Sequence, residues 1–105
     1  MQFLMWVCVD PTLPVPTDVP IEPWLEECDR RGVRLEGDQL RGVGDATTVR
    51  DHGRLVTDGP FADTKEQIAG YDLLDCADLT EAVEIAAKHP VARFGAIEVR
   101  PVWQP

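Results

Sequence analysis

Two carboxylates in one short stretch carry the chain's most suggestive chemistry. In Val56-Thr57-Asp58-Gly59-Pro60-Phe61-Ala62-Asp63-Thr64-Lys65-Glu66-Gln67, Asp58 ends a β-prone run and is followed by Gly-Pro, which forces the backbone to turn. A carboxylate aimed by such a turn can act as a general base or accept a hydrogen bond from a ligand. Glu66 follows in a Thr-Lys-Glu-Gln segment that reads as a single helical turn capped by Asp63 or Thr64. Two carboxylates facing each other across a pocket push their proton affinities apart, which creates an acid and a base. The same residues also suit plain architecture. Asp before Gly-Pro is what an Asx-type turn selects, and short charged turns are commonly solvated surface.

Five further residues could contact a substrate: Phe61 and Lys65 within the stretch, then Tyr71, His89 and Arg93. Tyr71 beside Gly70 can donate a hydrogen bond from a strand or pack in the core. His89 stands where a helix is expected to end, so the dipole favours its protonated form. Arg93 can clamp a carboxylate or pair with Glu98. The three cysteines, Cys8, Cys28 and Cys76, form no C-x-x-C pair, and the two histidines are far apart. Neither a disulfide framework nor a metal site is indicated, and the cysteines read as buried reduced thiols. No phosphate-binding glycine loop, nucleophile elbow or nucleotide fingerprint occurs, so no cofactor is expected.

The net charge of -9, from 10 basic and 19 acidic groups, repels phosphate backbones and anionic headgroups. Nucleic acid and membranes are therefore not expected partners. The apolar opening is too short to span a bilayer and lacks a basic flank and a cleavage site, which makes a cytoplasmic location the expectation. At 105 residues, 44% of them hydrophobic, the chain reads as a single domain over 1–105 with one core.

These candidate residues must be positioned by a small set of elements. Residues 2–9 form an apolar run bounded by Asp10-Pro11, which suits a central strand buried on both faces. Pro11 to Pro23 holds five of the nine prolines and reads as a stiff loop. A helix over Glu22–Arg31 follows, with Pro23 in its first turn, Ile21, Leu25 and Cys28 sharing a face, Trp24 placed to line a pocket mouth, and Gly32 as its stop. A strand from Val33 toward Leu40 comes next. Thr47–Arg50 and Arg54–Thr57 flank Asp51-His52-Gly53 as a hairpin. Ile68–Cys76 reads as a strand, and Asp78-Leu79-Thr80-Glu81 opens a helix with an acidic cap and a glutamate in its first turn. Pro90 stops that helix, and Ala96–Arg100 alternates as a last strand.

Reduced to elements, the chain is β-α-β, hairpin, β-α-β. Right-handed crossovers then give an α+β fold, a four-stranded antiparallel sheet with both helices on one face, the ferredoxin-like arrangement. The bare face calls for a cover, and a second copy of the chain is the economical one, so a homodimer is expected. Trp6 and Trp103 read as core or interface anchors.

Asp58-Gly59-Pro60-Phe61, the following Ala62–Gln67, and Gly70-Tyr71 resemble the signature of the YCII-related family, in its DGPF-containing branch. His89–Gly95 and Ile97–Pro101 are similar to the same branch, so the resemblance covers most of Thr47 to Trp103. It implies a dimeric α/β-barrel built from ferredoxin-like protomers. It implies little about activity: most members have no assigned reaction, some resemble enzymes of aromatic degradation, and related domains accompany sigma factors of the extracytoplasmic-function class. A histidine–aspartate pair is credited to the wider family, but no histidine precedes His52 here, so that pair is not carried over. The first helix also looks shorter than the family's.

Three functional classes follow. The first is a metal-free, cofactor-free enzyme moving protons with Asp58 and Glu66 in a pocket of the dimer. The alternative is a non-catalytic ligand-binding or regulatory dimer module working beside a transcription factor. The third makes the Asp-Gly-Pro-Phe turn architecture alone. The sequence leaves open whether the protein is an enzyme and which small molecule it takes.

Overall fold

The computed structural model describes residues 1–105. In chain order it contains β1 (Gln2–Val9), α1 (Glu22–Arg31), β2 (Arg34–Gln39), β3 (Thr47–Arg50), β4 (Leu55–Asp58), β5 (Gln67–Asp75), α2 (Leu79–Ala87) and β6 (Ala96–Pro101). The architecture is α+β. Four strands form one sheet in the order β2-β5-β1-β6 with every neighbour antiparallel, and β3 and β4 pair separately. Neither helix is long and apolar enough to cross a membrane.

Strand alternation decides where the core lies. Phe3, Met5 and Val7 of β1 and Leu74 of β5 are buried against Trp24 and Cys28 of α1 and Ala82, Ile85 and Ala86 of α2. Their neighbours Leu4, Trp6 and Cys8 point the other way and are only half-buried. β1 is central, as its apolar run suggests, but it is buried on one face rather than two. Two helices cover one side of the sheet, and nothing in the chain covers the other.

Local chemistry fixes the helices. Pro23 occupies the first turn of α1, and Gly32 closes it in the left-handed conformation at φ 65°. Trp24 and Cys28, one turn apart, form its buried stripe, and the Trp24 indole Nε1 donates to the Ile85 carbonyl of α2 at 2.9 Å. The Asp78 carboxylate caps α2 by accepting from the Glu81 amide at 2.9 Å, while Glu81 accepts from the Ala77 amide at 2.8 Å. Arg31 ties the helices together on the outside, reaching Glu27 and Glu84 at 3.0 Å and Glu81 at 3.3 Å.

The β3–β4 hairpin turns through Asp51, His52 and Gly53, all with positive φ. Seven of its eight strand residues are exposed, so it stands away from the body as an arm. Its base is closed where the Gly59 amide donates to the Ala46 carbonyl at 2.7 Å. Gly59 adopts φ 95°, which explains why glycine follows Asp58.

Candidate ligand-binding cavity

On the helix side of the sheet, a cavity of about 480 Å³ opens between β1, β2, β5, the start of α1, the proline-rich loop and the short 3-10 turn Pro90–Arg93. Val7, Val15, Val19, Leu25 and Phe94 make much of its wall apolar. Arg34, Asp72 and His89 supply the polar side chains. This combination of apolar wall and few convergent polar groups is the usual composition of a small-molecule site.

Asp72 follows from strand phase. It lies between Gly70 and Leu74, both buried, so β5 carries its carboxylate inward, where it is 6% exposed. An isolated buried carboxylate is costly, and Arg34 answers it: Nε donates to Asp72 Oδ1 at 2.7 Å and Nη2 to the Gly37 carbonyl at 2.8 Å. Burial pushes the Asp72 carboxyl above the usual aspartate range, against the opposing pull of the guanidinium. Gly37 is required for space. A Cβ there would collide with the Asp72 carboxylate and the Tyr71 carbonyl. Arg34 Nη1 and Asp72 Oδ2 make no hydrogen bond within the chain, so each keeps capacity for a ligand.

His89 is the second polar centre. It is 7% exposed, lies edge-on to Trp24 with ring centroids 4.7 Å apart, and its Nδ1 accepts from the Val91 amide at 3.0 Å. That bond leaves the proton on Nε2, which has no partner in the chain. Desolvation pushes the imidazole down to about 4, so it is neutral at physiological pH. The dipole-favoured cation expected at a helix terminus is thus corrected. His89 instead caps the Pro90–Arg93 turn from a buried position, and burial outweighs the helix end.

The other expected site residues fall in different places. Tyr71 lines the cavity, but alternation with Asp72 puts its side chain on the open face, in register with Trp6 and Asp38. Lys65 lines a separate, mostly polar groove with Asp10, Thr12, Asp63, Thr64 and Gln67. Asp58, Glu66, Phe61 and Arg93 line neither. The Asp58 carboxylate accepts no hydrogen bond, and the turn around it is held by Thr48 Oγ1 donating to the Gly59 carbonyl at 2.8 Å. Residues 62–66 form no helical turn; the Gln67 side chain satisfies the Ala62 and Thr64 carbonyls at 2.9 and 3.0 Å instead. Arg93 meets Asp18 of the proline-rich loop at 3.5 Å, whereas Glu98 pairs with Arg100 at 2.8 Å. The cysteines are free, with Cys28 and Cys76 buried and Cys8 half-buried. No three His, Cys, Asp or Glu side chains gather into a metal-holding group.

Sequence reasoning missed the Arg34–Asp72 pair and the neutral His89. The signal for Asp72 was present: an acidic residue in phase with Leu74 on a strand whose inward face is apolar must find a cation nearby. Trp24, expected at a pocket mouth, is buried and does line the cavity.

Comparison with known proteins adds a family but no activity. The chain is 50% identical over 50 residues to an uncharacterised protein of Rhizobium meliloti (strain 1021), a match over 46% of this chain. It spans about 40% of that relative's length. The family model described as YCII-related domain matches residues 22–104, which take in α1, Arg34, Asp72, His89 and the Asp58–Phe61 turn. The chain belongs to the YCII-related domain family.

Proposed function

We propose that the protein is a homodimer that binds a compact, largely apolar, uncharged small molecule in the Arg34–Asp72–His89 cavity. The observation that carries this reading is the pairing of unsatisfied opposite capacities inside one apolar cavity: the His89 Nε2–H offers a hydrogen bond, and Asp72 Oδ2 accepts one. A ligand with one acceptor and one donor on an apolar frame, such as a hydroxylated aromatic or a hydroxylactone, meets both. The chain's charge of -9 disfavours anions.

The strand order β2-β5-β1-β6 with two crossover helices supports the ferredoxin-like protomer, and the bare sheet face supports its pairing into a dimeric barrel. The half-buried Leu4, Trp6, Tyr71 and Leu73 stripe on the open face is what a second copy would cover.

A thermal-shift screen of phenols, hydroxylactones and their carboxylate counterparts tests the binding reading. A ligand at 100 times its Kd stabilises by about 2.7 kcal/mol, on the order of 10 °C for a chain of this size. The uncharged compounds should raise the melting temperature of the wild type, with the effect lost in Asp72→Asn and His89→Asn. Stabilisation retained in both variants would refute the placement.

Proton-transfer catalysis is the second reading, favoured by one cavity that is lined both by a carboxyl pushed up and by an imidazole held neutral. Asp72 would take the proton and His89 Nε2–H would steady the developing oxyanion. Solvent deuterium entering a bound ligand, and not entering with Asp72→Asn, is the expected signature. The Asp58 and Glu66 carboxylates would have to work outside this cavity.

A further inference from the structure

We infer that the β3–β4 hairpin is a dimerisation arm that packs on the margin of the open sheet face of a second copy of this chain. The inference rests on the homodimer reading above and adds to it the element that holds the partner.

An isolated two-stranded hairpin is marginal in water at best. This one nonetheless has Val49 at 62% and Val56 at 57% exposure, directly opposite each other in register, with Leu55 also exposed. Phe61, just beyond the arm's base, is 75% exposed. The arm has apolar side chains on its surface and no element of its own chain to receive them. It also makes the molecule extended: the radius of gyration is 15.2 Å, against about 13 Å for a compact chain of this length.

The chain carries a second unsatisfied apolar surface, the half-buried stripe of Leu4, Trp6, Tyr71 and Leu73 on the open face. The fold holds the two apart, because the arm leaves the sheet beyond the ends of β2 and β5. In a twofold pair each copy supplies an arm and receives one, so both surfaces are covered twice and the assembly closes.

Charge selects the same partner. The segment from Arg41 to Asp58 holds three arginines and three aspartates, so it is neutral while the rest of the chain carries the whole net charge of -9. Arg50 and Arg54 stand at the tip of the arm, where Arg54 meets Asp51 at 3.5 Å, so the tip carries one net positive charge. Glu36 and Asp38 are exposed on β2, in register with Leu73 and Tyr71, and so rim the open face with negative charge. A neutral arm with a basic tip can lie on that rim without the repulsion that two acidic bodies would otherwise meet.

Sedimentation velocity over a dilution series reads the result. Wild type should be a dimer, and Val49→Asp/Val56→Asp should weaken its Kd by roughly a hundredfold or more, about tenfold for each charged side chain placed at the interface. Glu36→Arg/Asp38→Arg should weaken it by about tenfold. Excising residues 47–58 and bridging Ala46 to Gly59 with two glycines removes the arm at a base already closed by a hydrogen bond, and should give a folded monomer. Hydrogen exchange on the unmodified protein supplies a check that needs no variant: amides of Thr47–Asp58 should be protected at dimer concentrations and exchange freely on dilution. A wild-type monomer overturns both the homodimer and the arm. A wild-type dimer that persists with the arm excised, or in both charge variants, or whose arm amides exchange freely at dimer concentrations, overturns the arm alone.

Discussion

Protonating His89 should cost the protein a defined part of its stability. The imidazole is buried, touches Trp24, and is pushed down to about 4 by desolvation with no opposing charge. Its folded-state value lies below the unfolded value of 6.5, so between the two the unfolded chain binds more protons. The contribution is therefore fully present above pH 6.5 and is lost as pH falls toward 4. The whole gap corresponds to about 3 kcal/mol, and about 2.5 kcal/mol of it disappears between pH 7.5 and 4.5. Carboxylates titrate over the same range, so the variant His89→Asn provides the reference. Its amide oxygen can replace Nδ1 as acceptor for the Val91 amide, while the titrating group is gone. Urea unfolding of both proteins at pH 7.5 and 4.5 should show the wild type losing about 2.5 kcal/mol more than the variant, close to 2 M in midpoint at a slope near 1.2 kcal/mol/M. Equal losses in the two proteins would mean that His89 is solvated or already paired, and would refute its role as a neutral donor in the cavity.

Gly37→Ala should cost about 2 kcal/mol and remove ligand binding, because the added methyl drives the Asp72 carboxylate from Arg34; chemical unfolding and the thermal-shift screen read both effects. Asp78→Ala removes the cap of α2 and should lower stability by about 1 kcal/mol, with ligand response intact, since the cap lies outside the cavity. Thiol titration at pH 8 should find Cys28, pushed up to about 11, and Cys76 unreactive in the native protein, with all three cysteines reacting in denaturant. Fast native labelling of Cys28 would contradict the packing of α1 on the sheet.

The elements were legible because their signals are local. The span of α1 is readable from Pro23 and Gly32, the cap of α2 from Asp78 and Glu81, and the arm from Asp51-His52-Gly53. The candidate site was not, because it is made by strand phase and by contacts distant in sequence. Arg34 meets Asp72 across two strands, and their register depends on an irregularity in β2 around Leu35 that no residue type announces. His89 carries a helix-end signature, yet its charge is set by burial against Trp24. Conversely, Asp-Gly-Pro-Phe drew the eye because a turn demands unusual residues. Gly59 at φ 95° shows how much of that stretch serves the backbone.

The central claim is that ligand binds at Arg34, Asp72 and His89, and an amide and indole NMR titration with a stabilising compound tests it most directly. The account predicts that the Trp24 indole Nε1–H, the His89 ring and the Gly37 and Gly70 amides shift together and saturate. Shifts confined to Gly59, Ala62 and Gln67, with the Trp24 indole unmoved, would contradict it and return the site to the Asp58 turn.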